Sequence, residues 1–297
     1  MSEKLPPVCD YEGSDYQEAF WEQGGRAYED GAEAVALRRL LPPEGGSLLL
    51  EIGAGAGRNT PRYHGYQRIV VMDYSLTQLQ KAQARLGRAD RYVYVAANVY
   101  RLPFVDGLFD GATMIRVLHH MADARLALQE VRRVLRAGAV FILEFANKQN
   151  LKAILRYLMG RQAWSPFTPE PVEFVPLNFD FHPRTVRQWL SECGFTLQRQ
   201  LTVSHFRMGL LKRLIPTRLL VWMDSMAQLT GDWWQLAPSV FTRSIVAGSP
   251  QQPPQGFFRC LKCDSTSLTE SHDALTCDSC GHVWPIVDGI YDFREKE

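Results

Sequence analysis

The chain lacks any marked charge imbalance. Its 33 Lys and Arg stand against 32 Asp and Glu, so bulk charge selects no partner. No run of about eighteen apolar residues occurs, so no membrane-spanning helix is expected. The opening residues, "MSEKLPPVCDYEG", lack the apolar centre of a secretory signal, which sets a reducing, cytoplasmic location as the expectation. There is no internal repeat. The six cysteines are unremarkable in number, but four of them fall between 260 and 280. Cys9 and Cys193 stand alone and read as free thiols. The 297 residues suffice for one large α/β domain and a smaller one.

What is present is an alternation of strand-like and helix-like runs. "SLLLEIG", "QRIVVMD", "YVYVAAN", "FDGATMIRV" and "AVFILEF" read as strands, with helical patterns such as "ADARLALQEVRRVL" between them. Such βαβ units imply a mostly parallel, doubly wound sheet. Residues 1–40 form an N-terminal helical cap, in which "AEAVALRRLL" (Ala32–Leu41) stops before Pro42-Pro43. The main domain covers 41–248, with lid insertions near 148–190 and 205–238. "SPQQPPQG" at 249–256 has linker composition, and 257–297 is a cysteine-rich module.

The first strand runs into "LEIGAGAGRN" (Leu50–Asn59). Gly53, Gly55 and Gly57 permit a sharp turn and a close approach of ligand to backbone. A helix expected from Asn59-Thr60, with Pro61 in its first turn, would offer free N–H groups to an anion. Taken alone the glycines also fit a plain structural turn. Their G-x-G-x-G spacing is not the dinucleotide G-x-G-x-x-G. Glu51 ends an otherwise apolar strand two residues before Gly53. A carboxylate there opposes a pyrophosphate and suits a ligand with positive charge. S-adenosylmethionine carries a sulfonium, an amino group and a carboxylate. Asp73 ends the second strand, where an acid accepts both ribose hydroxyls. It could instead cap the next helix, but Ser75 is the better cap. Asn98, after the third strand, is placed for the adenine edge.

The order "LLLEIGAGAGRN", "VVMDYS", "NVYRLPFVDGLFDGATMIRVLHHM", "RVLRAGAVFILEF" resembles class I S-adenosylmethionine-dependent methyltransferases, the quinone-ring methyltransferases among them. The resemblance implies a Rossmann-like α/β fold with a seven-stranded sheet. It implies that Glu51, Gly53, Gly55 and Gly57 hold the methionine end and Asp73 the ribose. Tyr74 would lie against the adenine, Asn98 and Val99 at its edge, Arg116 beneath the cofactor, and Tyr28 over it. The family usually has Asp at position 98; Asn both donates and accepts, so recognition survives. Methyl transfer needs little beyond in-line placement of a nucleophile. His119 and His120 follow the fourth strand and are candidates either for a base or for a turn and helix cap. No N-P-P-[YF] occurs, nor a cysteine motif suited to pyrimidine attack.

Residues 148–218 hold eleven Lys and Arg against four Asp and Glu. A lid with a solvated basic side, an anionic substrate and an anionic membrane surface all fit. At the C-terminus, Cys260, Cys263, Cys277 and Cys280 make C-x2-C-x13-C-x2-C, which closes a tetrahedral, structural zinc site. "CGHVWPIVDGIYDF" resembles the zinc ribbons that partner tRNA and translation-factor methyltransferases, with Tyr291 in place of a usual proline. That resemblance implies docking on the methyltransferase domain. Residues 257–297 carry four Lys and Arg and eight Asp and Glu, the wrong sign for phosphate. The favoured function is methyl transfer to a small or lipid-like acceptor. An RNA methyltransferase with a basic lid and a non-catalytic S-adenosylmethionine-binding module are the alternatives.

Overall fold

The strand "SLLLEI" is apolar apart from Ser47 and Glu51 because it lies mid-sheet. β1 (Gly46–Ile52) pairs in parallel with β2 (Tyr66–Asp73) on one side and β4 (Phe109–Met114) on the other. Parallel strands covered on both faces read as continuous apolar runs. β3 (Tyr92–Ala96) continues outward from β2, and β5 (Leu135–Ala146) from β4. The chain order therefore reverses at β1, which opens a crevice at the carboxyl ends of β1 and β4. β9 (Ser239–Val246) runs antiparallel to both β5 and β8 (Phe195–Val203), so β8 points the same way as β5 and the sheet is mixed. Residues 5–14, 21, 23–249, 252 and 254–295 are described by this computed structural model. Pro250, Gln251 and Pro253 of the expected linker lie outside them.

The two faces take alternate side chains. Leu49, Ile69 and Val71 face α1 (Ala27–Leu40) and α2 (Leu76–Leu86), whose Leu37 and Leu79 are fully buried. Leu50, Val70 and Met72 face α3 (Ala124–Val134) and α5 (Pro183–Glu192), through Leu128, Val131 and Val186. Ser75 caps α2 by accepting the Gln78 N–H. One expected helix is missing. After the glycine turn the chain makes only a 3-10 turn, Thr60–Arg62, before entering β2. No α-helix N-terminus therefore points into the crevice from this segment.

The sheet has eleven strands, not seven. The extra four are β10 (Leu268–Glu270), β11 (Ala274–Cys277), β12 (Val283–Val287) and β13 (Ile290–Asp292). β13 pairs in parallel with β3, Ile290 opposite Tyr94 and Asp292 opposite Ala96. Without it β3 would be an edge with unpaired backbone groups. Three residues are too few to show strand periodicity, so the sequence pattern could not reveal this join. Side chains deepen it: Phe258 stacks on Phe104 at 5.9 Å, and Phe258, Trp284 and Phe293 share the α3-side core.

Two insertions leave the carboxyl edge. The one after β5 holds α4 (Leu151–Leu158) and the hairpin β6 (Val172–Val175) and β7 (Asn178–Asp180). The one after β8 holds α6 (Gly209–Leu214) and α7 (Thr217–Ala227), separated at Ile215-Pro216 because proline cannot donate a helical hydrogen bond. Among the described residues no helix is long and apolar enough to cross a membrane.

Ile290 is fully buried in the seam between β13 and the α1-side core. Ile290→Ala should cost roughly 2–4 kcal/mol, as large-to-small core changes do. Calorimetric unfolding should show a single transition lowered by several degrees. A separate early transition for the cysteine module, with the main one unmoved, would contradict this shared core.

Candidate functional site

An open cavity occupies the crevice beyond β1, β2 and β4. Its floor is the glycine turn. Gly53 has φ 66°, and a Cβ there would come within 2.2 Å of the Val117 side chain, so only glycine fits. Gly55 faces open space and donates its N–H to Asp73 at 2.8 Å. Gly57 does not line the cavity; it packs on α2, where a Cβ would meet Leu86 at 2.9 Å. Its role is to let helix and turn approach each other.

Two carboxyl groups face this space. Glu51 is 4% exposed and accepts a hydrogen bond from Thr60 Oγ1 at 2.6 Å. Burial raises its carboxyl group to about 8, against the help of Thr60 and the more distant Arg58. Asp73 accepts from Ser75 N–H at 2.9 Å as well as from Gly55, yet burial still raises it. Neither acid forms an ion pair among the described residues.

Two arginines line the same cavity but are already engaged. Arg58 bonds Glu33 at 2.7 Å and also Asp30; Arg116 Nε bonds Glu33 at 2.6 Å. Trp21 lies against both, 3.5 Å from the Arg58 carbon and 4.8 Å from that of Arg116. Burial would raise the Glu33 carboxyl group, but Arg116 and Arg58 outweigh it and hold it low. Arg116 has φ 61° and donates its backbone N–H to the buried Glu144 at 2.8 Å. This bond fixes the turn after β4.

Tyr74, Val99 and Arg116 line the cavity as well, whereas Tyr28 and Asn98 do not. The Tyr28 hydroxyl donates to Asp224 on α7 and accepts from Phe206 N–H, each at 2.9 Å. Tyr28 thus ties α1 to the second insertion, and helical spacing could not tell which face of α1 it occupies. The Asn98 oxygen is spent on the Tyr100 N–H at 2.9 Å, which shapes the turn that presents Val99. The roof comes instead from the N-terminal segment through Val8, Cys9, Tyr11 and Trp21. Only the aromatic, acidic character of that segment signals it.

Of the two histidines, His120 lines the cavity and His119 does not. His120 Nδ1 lies 3.1 Å from the Leu177 carbonyl, which only accepts, so this nitrogen carries the proton. Nε2 then accepts from the Tyr11 hydroxyl at 3.0 Å. Burial lowers the His120 pKa, which keeps the ring neutral. His119 Nδ1 is buried without a partner.

Elsewhere, Cys260, Cys263, Cys277 and Cys280 bring their sulfurs within 4.8 Å of one another. The Cys260–Cys280 and Cys263–Cys277 separations are 3.7 and 3.5 Å. Zinc–sulfur bonds of about 2.3 Å in a tetrahedron require sulfurs about 3.8 Å apart, so this donor set fits zinc.

Residues 50–143 match the family model of the methyltransferase domain. The chain is 32% identical over 157 residues to the demethylmenaquinone methyltransferase of Clavibacter sepedonicus, covering 52% of this chain and 64% of that protein. It is 40% identical over 105 residues to the O-methyltransferase resE of Aspergillus sclerotiorum, 33% of this chain and 39% of that protein. It thus spans between two fifths and two thirds of these curated relatives. A chain from the complex between the Haloferax volcanii Trm112 methyltransferase activator and a methyltransferase superposes with a TM-score of 0.55 at 15% identity. That superposition covers 78% of this chain and 96% of the other. The fold is that of the Rossmann-like methyltransferases.

Glu33 holds Arg58 and Arg116 at the cavity wall, and replacing it removes the buried carboxylate they share, leaving Arg58 with Asp30. Glu33→Gln should cost about 1–3 kcal/mol at neutral pH. Its folded pKa lies below the unfolded one, so this stabilisation is complete above the unfolded value and fades as pH falls through the folded value. Denaturant unfolding of both proteins from neutral to acidic pH should show the gap closing only below the ordinary carboxylate range. A constant or absent gap would contradict this role.

Proposed function

We propose that the protein is an S-adenosylmethionine-dependent methyltransferase acting on a small-molecule or lipid-like acceptor. The carrying observation is a pair of acids, buried Glu51 and half-buried Asp73, facing one cavity with no ion pair of their own among the described residues. A ligand with an ammonium group and a ribose completes both. In this reading Glu51 takes the amino group and Asp73 the two ribose hydroxyls, with Gly53 and Gly55 giving the close floor. Gly57 holds that floor against α2, and Tyr74 and Val99 border the adenine. Asn98 acts through its turn rather than by contact. Arg116 walls the cavity while bound to Glu33.

When bound against Glu51 and Asp73, S-adenosylmethionine would supply an electrophilic methyl group to the acceptor's lone pair. The chain's own part is placement and exclusion of water by the N-terminal roof. His120 can receive the acceptor's proton only by relay: Leu177 fixes the proton on Nδ1, and Nε2 already accepts from Tyr11, so the Tyr11 hydroxyl would pass its proton to Nε2 as its oxygen takes the acceptor's. The names of the O-methyltransferase and demethylmenaquinone methyltransferase relatives support a small-molecule acceptor. The Cys-rich module is read as a zinc ribbon that stabilises the domain from within the same chain. The β13–β3 pairing and the four-sulfur cluster support that reading, as does the activator named in the complex above.

With methyl-labelled S-adenosylmethionine and a cell extract, label should move into the organic-soluble small-molecule fraction. Label in RNA instead would overturn the acceptor class. Asp73→Ala should weaken cofactor binding roughly 30- to 1000-fold, the loss of two charge-assisted hydrogen bonds; unchanged affinity in calorimetry would refute the ribose role.

The purified chain should carry one zinc ion, and Cys277→Ser should lose most of it. Because β13 shares the sheet, that variant should also unfold at lower temperature. Full metal content in the variant, or loss of metal with no thermal effect, would contradict the structural role.

A further inference from the structure

Among the described residues, nineteen large apolar side chains are exposed, and all but Val283 fall between 151 and 236. Scattered surface leucines are ordinary, but confinement to two insertions is not. Both insertions rise from the carboxyl edge of the sheet, since β5 and β8 run the same way, and the Leu151 N–H donates to the Leu236 carbonyl between them.

Their helices turn apolar side chains outward. α4 buries only Ala153, while Leu155 and Leu158 are 49% and 71% exposed. α7 buries Leu220 and Asp224 and leaves Trp222 61% exposed. α6 buries nothing, and Leu214 is 71% exposed. Trp233 and Trp234 follow at 78% and 54%. Cations accompany them: Lys152, Arg156, Arg161, Arg213 and Arg218 are exposed, and none has an acidic partner among the described ion pairs. Residues 148–218 carry eleven Lys and Arg against four Asp and Glu.

We infer that this face seats the protein on an anionic lipid bilayer, with its leucines and tryptophans among the head groups and its lysines and arginines against their phosphates. Short helices with apolar and tryptophan side chains outward and cations beside them suit the interface plane. None is long enough to span it. A second copy of the chain fits less well, because a two-fold contact would press a cationic face against itself. A nucleic acid would satisfy the cations and leave the leucines in water. The inference goes beyond the methyl-transfer reading and stands without it, since partition onto vesicles needs no cofactor.

The test is co-sedimentation of the full chain with vesicles of phosphatidylcholine, alone or mixed with phosphatidylglycerol. Mixed vesicles should bind it at least roughly tenfold more strongly, the gain from one or two basic side chains near such a surface. Higher salt should reduce that gain. Trp233→Ser with Trp234→Ser should weaken binding to mixed vesicles about tenfold or more, by lost interfacial burial. Lys152→Glu with Arg213→Glu should abolish the preference for the anionic lipid. Circular dichroism and thermal unfolding establish that each variant is folded. Equal binding to both vesicle types, or wild-type binding by the folded tryptophan variant, would overturn the inference. So would lipid-free self-association in the ultracentrifuge that the same substitutions dissolve, with no uptake by vesicles.

Discussion

Two carboxyl groups that face one cavity with no ion pair among the described residues set the terms for the rest of this structure. Glu51 closes the central strand and Asp73 its neighbour, and burial raises both. An acid in that position weakens the fold when ionised, so its presence on an apolar strand calls for a ligand that repays the cost. The cavity's arginines do not repay it, because Glu33 and Asp30 hold them. The division is spatial: one wall is electrostatically complete within the protein, and the other is completed by what binds.

The same economy governs the sheet edge. β3 ends at Ala96, from which Ala97 leads on toward Val99 at the cavity, and β13 covers its outer side. Phe293 N–H donates to the Ala96 carbonyl, while Gln83 on α2 bonds the Asp288 carbonyl. The four-cysteine module thus braces a strand and a helix beside the cavity. Arg294 bonds both Asp292 and Glu12, which links the module to the N-terminal roof.

Much of this was legible in the sequence where the signal is local. β1 reads as apolar because it is covered on both faces, the glycines lie where φ is positive, and Ser75 caps α2 from its position alone. Tyr28 was misplaced because its partners Asp224 and Phe206 lie about two hundred residues away. The helix expected after Asn59 gave way to a single turn, since β2 begins at Tyr66 and leaves no length for it. The roof residues Tyr11 and Trp21 carry no periodic pattern, and β13 is too short for one. Where length did not decide, a long-range contact settled what a short window could not.

The most direct test of the central claim counts protons. Calorimetry of S-adenosylmethionine binding in buffers of different ionisation enthalpy reads whether Glu51 gives up its proton to meet the ligand's ammonium group. Its carboxyl group stands near 8 in the free protein, so close to one proton should be released per ligand bound at neutral pH. The count should fall as pH rises past that value, and Glu51→Gln should release none. Tight binding with no proton released at neutral pH, or an unchanged count in Glu51→Gln, would contradict the account.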